Sequence, residues 1–210
     1  ELFSVPNTFF PTKWTWSNME KVFSADLNGS SFVKSMGVTL LVAVLSTGCS
    51  LFVNMLCAYA LARIEFRFKK ILWPLLLFPM FIPGITIQLT SIRVVNALKL
   101  VDTIFVLFVP GMANAFQIFF FRQFYLNIPK NIEEAAEIDG ASKLAIFFKI
   151  YLPLSVTPMV INGVGIFMGA WNSFIWPALT VSENKNLTQI MQVIRTLNVS
   201  YSGDYGVVIA

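Results

Sequence analysis

Histidine is absent from the 210 residues of this chain, and charged side chains are scarce at 12%. The missing histidine excludes a histidine general base, a histidine metal ligand and a histidine pH switch. The two cysteines, Cys49 and Cys57, lie in one apolar run, which favours two buried thiols over a disulfide or a metal pair. The sequence has no Gly-xxxx-Gly-Lys-Ser/Thr phosphate loop, and no nucleophile–base pair can be assembled from it, so we expect no enzyme.

Apolar residues dominate what is present. They make up 56% of the chain, whose mean hydropathy is +0.71, whereas soluble domains carry about 25% charged residues. The composition therefore predicts an all-α, multi-pass membrane protein with a single domain over residues 1–210. Four uncharged runs are predicted to span the membrane, at residues 37–62, 71–92, 103–121 and 154–181. A further apolar run begins near residue 205, and we expect both ends of the chain to be truncated.

The distribution of basic residues sets the predicted topology. Four of the eight residues at 63–70 are Lys or Arg, which places this short loop in the cytoplasm. The net charge of +4 is thus explained by membrane topology, and nucleic acid is not expected as a partner.

Several residues inside the spans are candidates for function or for packing. Pro74, Pro79 and Pro83-Gly84 in the second predicted span support a kinked helix that lines a pathway and a merely bent packing helix about equally, and Gly165 with Gly169 forms a pair that permits close helix packing. The third predicted span contains Pro110-Gly111. The polar groups of Asn114, Gln117 and Asn162 would either line a pathway or form interhelical hydrogen bonds, the second being favoured. Near the end of the fourth span, a pathway role and interfacial packing are equally supported for Trp171, Asn172 and Phe174.

The most polar stretch, residues 129–153, predicts two helices outside the bilayer. Its first half lacks Gly and Pro and is rich in Glu and Ala, and Gly140 suits the position that follows a helix. The spans contain no Asp, Glu, Lys or Arg, which argues against an ion-coupled carrier. Energy for transport would then come from outside the chain, and this stretch is the obvious place to receive it.

The spacing within this stretch resembles a known family. Glu134-Ala135-Ala136, three residues, Gly140, nine residues, Ile150, one residue and Leu152-Pro153 is similar to the Glu-Ala-Ala loop of binding-protein-dependent ABC importer permeases. The continuation through Ser142 resembles the carbohydrate branch, of the kind of the maltose-type second permease subunit. We call residues 129–153 the coupling loop.

The resemblance implies a type I ABC importer helix bundle that forms half of a translocation pathway. It implies a second permease subunit, in a heterodimer, two ATPase subunits, an extracytoplasmic solute-binding protein and a carbohydrate substrate. ATP and Mg would be bound by the ATPase subunits, and this chain would need no cofactor. The chain would lie among lipids in a bacterial or archaeal cytoplasmic membrane. The residues implied to couple to the ATPase are Glu133, Glu134, Ala135, Ala136, Asp139, Gly140, Ile150, Leu152 and Pro153.

Two other functions stay open at this point. One is an ABC importer permease for a non-sugar solute such as glycerol phosphate, which a basic patch facing the pathway would support. The other is a secondary transporter or channel that needs no ATPase, because a Na⁺ site made of carbonyls and hydroxyls would contain no charged side chain.

Overall fold

The computed structural model describes residues 16–24, 26–27 and 30–200, and the apolar run predicted near residue 205 lies outside them. The longer helices, in chain order, are α1 (Ser17–Ser24), α2 (Phe32–Arg63), α3 (Lys69–Leu77), α4 (Gly84–Ala97), α5 (Ile104–Phe108), α6 (Ala115–Leu126), α7 (Lys130–Ile138), α8 (Lys143–Ile146), α9 (Leu152–Leu154), α10 (Val156–Trp171), α11 (Ile175–Thr180) and α12 (Ile190–Ser200). Short 3₁₀ turns occupy Phe78–Phe81, Val109–Gly111 and Lys185–Leu187, and a π-helical turn, Phe147–Tyr151, joins α8 to α9. Strands β1 (Asp26–Leu27) and β2 (Ser30–Ser31) pair antiparallel.

Helix α2 is the central element of the bundle. Ser31 caps its N-terminus, because the Ser31 hydroxyl accepts a hydrogen bond from the backbone N–H of Lys34, and the helix ends at Arg63. It packs against α5, α6, α10 and α12. Cys49 and Cys57 both lie on this helix as free, half-buried thiols.

Most of the other predicted spans are bent. Within the described residues, only α2 is by itself long and apolar enough to cross a membrane, and up to four crossings result if each bent pair of helices is one span. The predicted span 71–92 turns by 109° between Phe81 and Gly84, and the predicted span 103–121 turns by 48° between Gly111 and Ala115. Pro83 lies within the first of these bends and Pro110 lies just before the second, and each lacks a backbone donor, so regular helical bonding is interrupted there.

Within the fourth predicted span, 154–181, helix α10 ends at Trp171. The side-chain amide of Asn172 donates to the carbonyl of Met168 in the last turn of that helix. The chain then turns into the separate helix α11.

The close approach of α10 to α2 occurs at an unpredicted glycine. A Cβ on Gly163 would lie 3.4 Å from Leu51 Cδ1 and 3.7 Å from Thr47 Cγ2, both on α2. Within the part of the chain that the structure describes, nothing lies within 4 Å of a Cβ placed on Gly165 or Gly169, the predicted pair. The sequence did not single out Gly163, because spacing does not reveal which side of α10 meets α2.

At the end of the bundle where α2 begins, the segment after α11 is fixed to two other parts of the chain. The Oδ1 atom of Asp102 accepts hydrogen bonds from the backbone N–H groups of residues 182–184, at 2.9, 2.9 and 3.1 Å. These bonds hold the pKa of the Asp102 carboxyl below its usual range. Further along, Thr39 Oγ1 on α2 accepts a hydrogen bond of 2.8 Å from the backbone N–H of Ile190.

Candidate functional site

The coupling loop is built from α7, a glycine turn and a second helical segment. After α7, Gly140 adopts φ +81°, a left-handed conformation that side chains other than glycine rarely adopt. The backbone N–H of Ala141 donates to the carbonyl of Ala136, and that of Gly140 donates to the carbonyl of Glu137. This Schellman pattern ends α7, as the sequence predicted for Gly140. The hydroxyl of Ser142 then accepts from the N–H of Ala145 and begins the next helical segment.

Polar side chains around the buried Glu133 hold α7 against the rest of the chain. We call Arg63, Glu133, Lys143 and Tyr151 the polar cluster. The hydroxyl of Tyr151 donates to Glu133 Oε2 at 3.0 Å, and Lys143 Nζ donates to Glu133 Oε1 at 3.1 Å. Arg63 Nε lies 3.8 Å from Glu133 Oε2, with the two side chains 3% and 9% exposed. Glu133 is thus fixed from three sides inside the protein.

Two members of the polar cluster, Lys143 and Tyr151, have shifted pKa values. A hydrogen bond to Glu137 raises the pKa of Lys143, and Glu133 adds to this effect against the opposing effect of burial. Burial and the hydrogen bond to Glu133 raise the pKa of Tyr151, so its hydroxyl stays a proton donor at neutral pH.

An aromatic core lies next to the polar cluster. The ring centroid of Tyr59 on α2 lies 4.9 Å from that of Tyr151 and 5.3 Å from that of Phe147. The ring centroids of Tyr125 on α6 and Tyr151 are 5.2 Å apart. All four side chains are buried. The second segment of the coupling loop is therefore packed into the junction between α2 and α6.

The predicted coupling residues fall into two groups. Glu133 is buried, and three of the others, Ala136, Ile150 and Leu152, pack against the aromatic core. The predicted residues that are exposed are Glu134, Ala135, Asp139, Gly140 and Pro153. Beside them, Ile138 is 86% exposed although its side chain is wholly apolar. The sequence pattern did not distinguish the inward from the outward group, and it missed Arg63 and Tyr151 as partners of Glu133.

A second feature is a cleft that surrounds the two helix breaks. Three cavities, of about 620, 230 and 180 Å³, share Gly111 in their lining, and we call them together the central cleft. The polar side chains in the lining are Ser46, Gln88, Ser91, Asn114, Ser173 and Gln189. Among the described residues, those that line these three cavities are all uncharged. Gln189 is 1% exposed, and its Oε1 accepts no hydrogen bond from a described residue.

The candidate pathway residues from the sequence are only partly brought to this cleft. Asn114 lines it. Gln117, Asn162, Trp171, Asn172 and Phe174 do not line the three cavities. Asn162 donates to the carbonyl of Pro158 in its own helix, and Phe174 lies 4.7 Å from the guanidinium of Arg195. The signal that could have identified the cleft is the Pro-Gly pair in each of two spans, which exposes the backbone on one side.

An amide network connects the cleft to α2. Asn54 Nδ2 donates to Gln117 Oε1 at 2.6 Å and to the carbonyl of Met112 at 3.0 Å. Asn54 Oδ1 accepts from the backbone N–H of Asn114 at 2.8 Å. Residues 112–114 lie between the 3₁₀ turn and α6, where helical hydrogen bonds are lost, so Asn54 satisfies the backbone groups that the break exposes. Sequence reasoning did not single out Asn54.

Comparison with known proteins gives consistent matches. Residues 50–210 match the family model described as binding-protein-dependent transport system inner membrane component. The sn-glycerol-3-phosphate transport system permease protein UgpE of Pectobacterium atrosepticum is 30% identical over 97% of this chain and 73% of its own length. The arabinooligosaccharides transport system permease protein AraQ of Halalkalibacterium halodurans is 30% identical over 96% of this chain and 71% of its own.

A solved structure also matches the fold. It is a crystal structure of a bacterial ABC transporter involved in the import of the acidic polysaccharide alginate, with a TM-score of 0.76 and 26% identity. The match covers 89% of this chain and 64% of that chain, so this chain spans less than two thirds of its length.

Proposed function

This chain belongs to the family of binding-protein-dependent transport system inner membrane components, as the coupling-loop spacing predicted, and from that membership we propose that it is a membrane subunit of an ATP-driven sugar importer. Its fold is the type I ABC importer bundle of helices. In this proposal it forms half of the pathway, beside a second permease subunit. Two ATPase subunits bind ATP and Mg on the cytoplasmic side, and a solute-binding protein delivers the sugar outside.

The exposed side of α7 supports the ATPase-docking part of the proposal. Ile138 is 86% exposed and Ile132 is 40% exposed, next to the small side chain of Ala135. Ile132 and Ile138 together form an exposed apolar surface on a helix outside the predicted spans, and such a surface is typical of a protein–protein contact. Glu134, on the same helix, is free of the polar cluster and can pair with a basic residue of the ATPase. The exposure of Ile138 is the single observation on which the docking site rests.

The lining of the central cleft supports a neutral, hydroxyl-rich solute. Hydroxyl and amide groups, such as those of Gln88, Ser91 and Ser173, donate and accept hydrogen bonds as sugar hydroxyls do. The indole of Trp176 adds an apolar face to the same cavity. A phosphate ester would need Lys or Arg for charge compensation, and the lining offers neither.

Glycerol phosphate is the second candidate, and two observations favour it. Both α4, from Gly84, and α6, from Ala115, begin at the cleft, so their N-terminal N–H groups and the positive ends of two helix dipoles lie beside it. UgpE, a glycerol-3-phosphate permease by name, is similar over most of this chain.

The experiment that tests the proposal is reconstitution of the full transporter, with its partner permease, ATPases and binding protein, in proteoliposomes. We expect neutral oligosaccharides to stimulate ATP hydrolysis and ATP-dependent uptake, and sn-glycerol-3-phosphate to do neither. Stimulation by glycerol phosphate alone would replace the sugar by the second candidate. Uptake that continues without ATPase subunits would refute the importer assignment itself.

Docking on α7 is tested by a charged substitution. We expect Ile138→Asp to abolish co-purification of the ATPase subunits with the permease, because a carboxylate cannot be buried in an apolar contact. The matched control is Val199→Asp on α12, an apolar side chain that is 72% exposed on the outer side. Equal ATPase binding by the two variants would contradict the docking site.

A further inference from the structure

The second segment of the coupling loop does not continue straight into the span that follows it. The axis of residues 143–154 meets that of α10 at 78°, and the junction is at Ser155. The π-helical turn and Pro153 precede the junction, and both interrupt regular helical bonding. A displacement of the loop along its own axis is therefore not transmitted along the axis of α10.

Helix α2, in contrast, is joined directly to α7. The Arg63 side chain is the last of α2, and it faces the Glu133 carboxylate at 3.8 Å in a site from which water is nearly excluded. Its Nη2 also donates to the carbonyls of Tyr125, at 2.5 Å, and Ile128, which fixes the guanidinium to the end of α6. The buried charge cannot separate from Glu133 without losing its compensating carboxylate.

The same helix reaches the cleft. Asn54 lies nine residues before Arg63, which is about 14 Å along an α-helix, and binds the helix break at 112–114 as described above. Gly111, just before this break, and Asn114, at its end, line the central cleft. One rigid helix thus contacts the coupling loop at one point and the cleft wall at another.

We propose that α2 is the element through which the coupling loop acts on the cleft, with Arg63 and Glu133 as positioning residues that make α7 and the cytoplasmic end of α2 move as one body. This inference rests on the proposed docking of an ATPase on α7. Motion of α7 displaces α2, and Asn54 carries that displacement to the break that bounds the cleft. The bend at Ser155 lets α10 follow at a different angle.

The first test measures the distance between the end of α2 and the start of α7 in the reconstituted full transporter. Spin labels at Glu65→Cys, just after α2, and Lys130→Cys, at the start of α7, are placed in a Cys49→Ala, Cys57→Ala background. We expect the distance distribution to stay the same with and without trapped nucleotide, while ATP-dependent uptake continues. A shift between the two states would overturn the proposal.

The second test removes the charge of Glu133. We expect Glu133→Gln to lower uptake per ATP hydrolysed about tenfold, within the range of coupling between distant sites, while the ATPase subunits still co-purify. Tyr151→Phe, which removes one hydrogen bond to Glu133 and keeps the ring in the aromatic core, should give a smaller loss. The matched control is Glu137→Gln, a carboxylate on the same helix whose recorded partner is Lys143 and which is 43% exposed.

The outcomes separate the inference from the function on which it rests. If the unmodified transporter neither binds the ATPase subunits nor takes up solute with ATP, the proposed function fails. If it does both, and Glu133→Gln and Tyr151→Phe transport per ATP as Glu137→Gln does, the inference alone is wrong. If Glu133→Gln does not assemble, Tyr151→Phe and the label distances decide.

Discussion

Replacing Asn54 by leucine should destabilise the bundle by releasing the helix break from α2. Asn54 is fully buried, and three of its hydrogen bonds cross from α2 to Met112, Asn114 and Gln117. Leucine has the branched shape of asparagine and is larger, so the substitution leaves no cavity. The loss is instead that of polar contacts at a place where water does not replace them.

The magnitude follows from these three bonds. Interhelical hydrogen bonds in a bilayer contribute about 0.6 kcal/mol on average and about 1.7 kcal/mol at most. We therefore expect a loss of about 2 kcal/mol in the free energy of unfolding, with about 5 kcal/mol as the upper bound. In a double-mutant cycle with Gln117→Leu, the two changes should be non-additive by more than about 0.5 kcal/mol, because both remove the same bond.

The assay is equilibrium unfolding of the purified subunit in mixed micelles, followed by circular dichroism. The matched control is Asn162→Leu, which also removes an amide from a span but one that bonds within its own helix, to Pro158. This control should cost less and add independently to Gln117→Leu. If Asn54→Leu and Gln117→Leu are additive as well, the reasoning about the network is refuted.

Three further predictions concern the loop, the outer side and the helix contact. Gly140→Ala should cost about 1–2 kcal/mol because its φ is +81°, seen as faster amide exchange at the end of α7, and unchanged exchange would contradict this. The N–H groups of residues 182–184 lower the pKa of Asp102, so the Asp102 carboxylate contributes its full stabilisation of the folded state above about pH 4 and loses it as the pH falls through the lower folded pKa. Asp102→Asn should therefore reduce the fall in melting temperature at acid pH, and an unchanged fall would count against this prediction. Gly163→Val should destabilise the bundle by about 1–3 kcal/mol through overpacking against α2, whereas Gly165→Val should be nearly neutral in the same unfolding assay, and equal losses would exclude the assigned contact.

The parts of the fold that depend on local chemistry were predictable. The helix–glycine–helix form of the coupling loop followed from Gly140 and the Glu-Ala-Ala pattern, and the bend in the second predicted span followed from the missing backbone donor of Pro83. The size of that bend did not follow, because a proline permits a range of angles and the packing partners select one.

The parts that depend on tertiary partners were not predictable. Glu133 and Glu134 are adjacent acidic residues in a similar local sequence, yet one is buried beside Arg63 and the other faces solvent. The choice is made by Arg63, seventy residues before Glu133, which no local pattern reveals. Asn54 was missed for the same reason, since its partners lie in a helix break whose register with α2 is set by packing.

The contacts at the N-terminal end of α2 join residues that are far apart in the sequence, and this has a consequence for biogenesis. Lys34, Thr39 and Ser30 bond to residues 152, 151 and 155 positions later in the chain. At about 5–20 residues per second, roughly 8–30 s of translation separate the two partners. The nascent α2 can still enter the bilayer, because the hydroxyl of Thr39 meanwhile donates to the carbonyl of Ser35 in its own helix. The N-terminal end of α2 therefore acquires its last contacts only when nearly all of the described chain has emerged from the ribosome, which places these contacts late in the order of assembly.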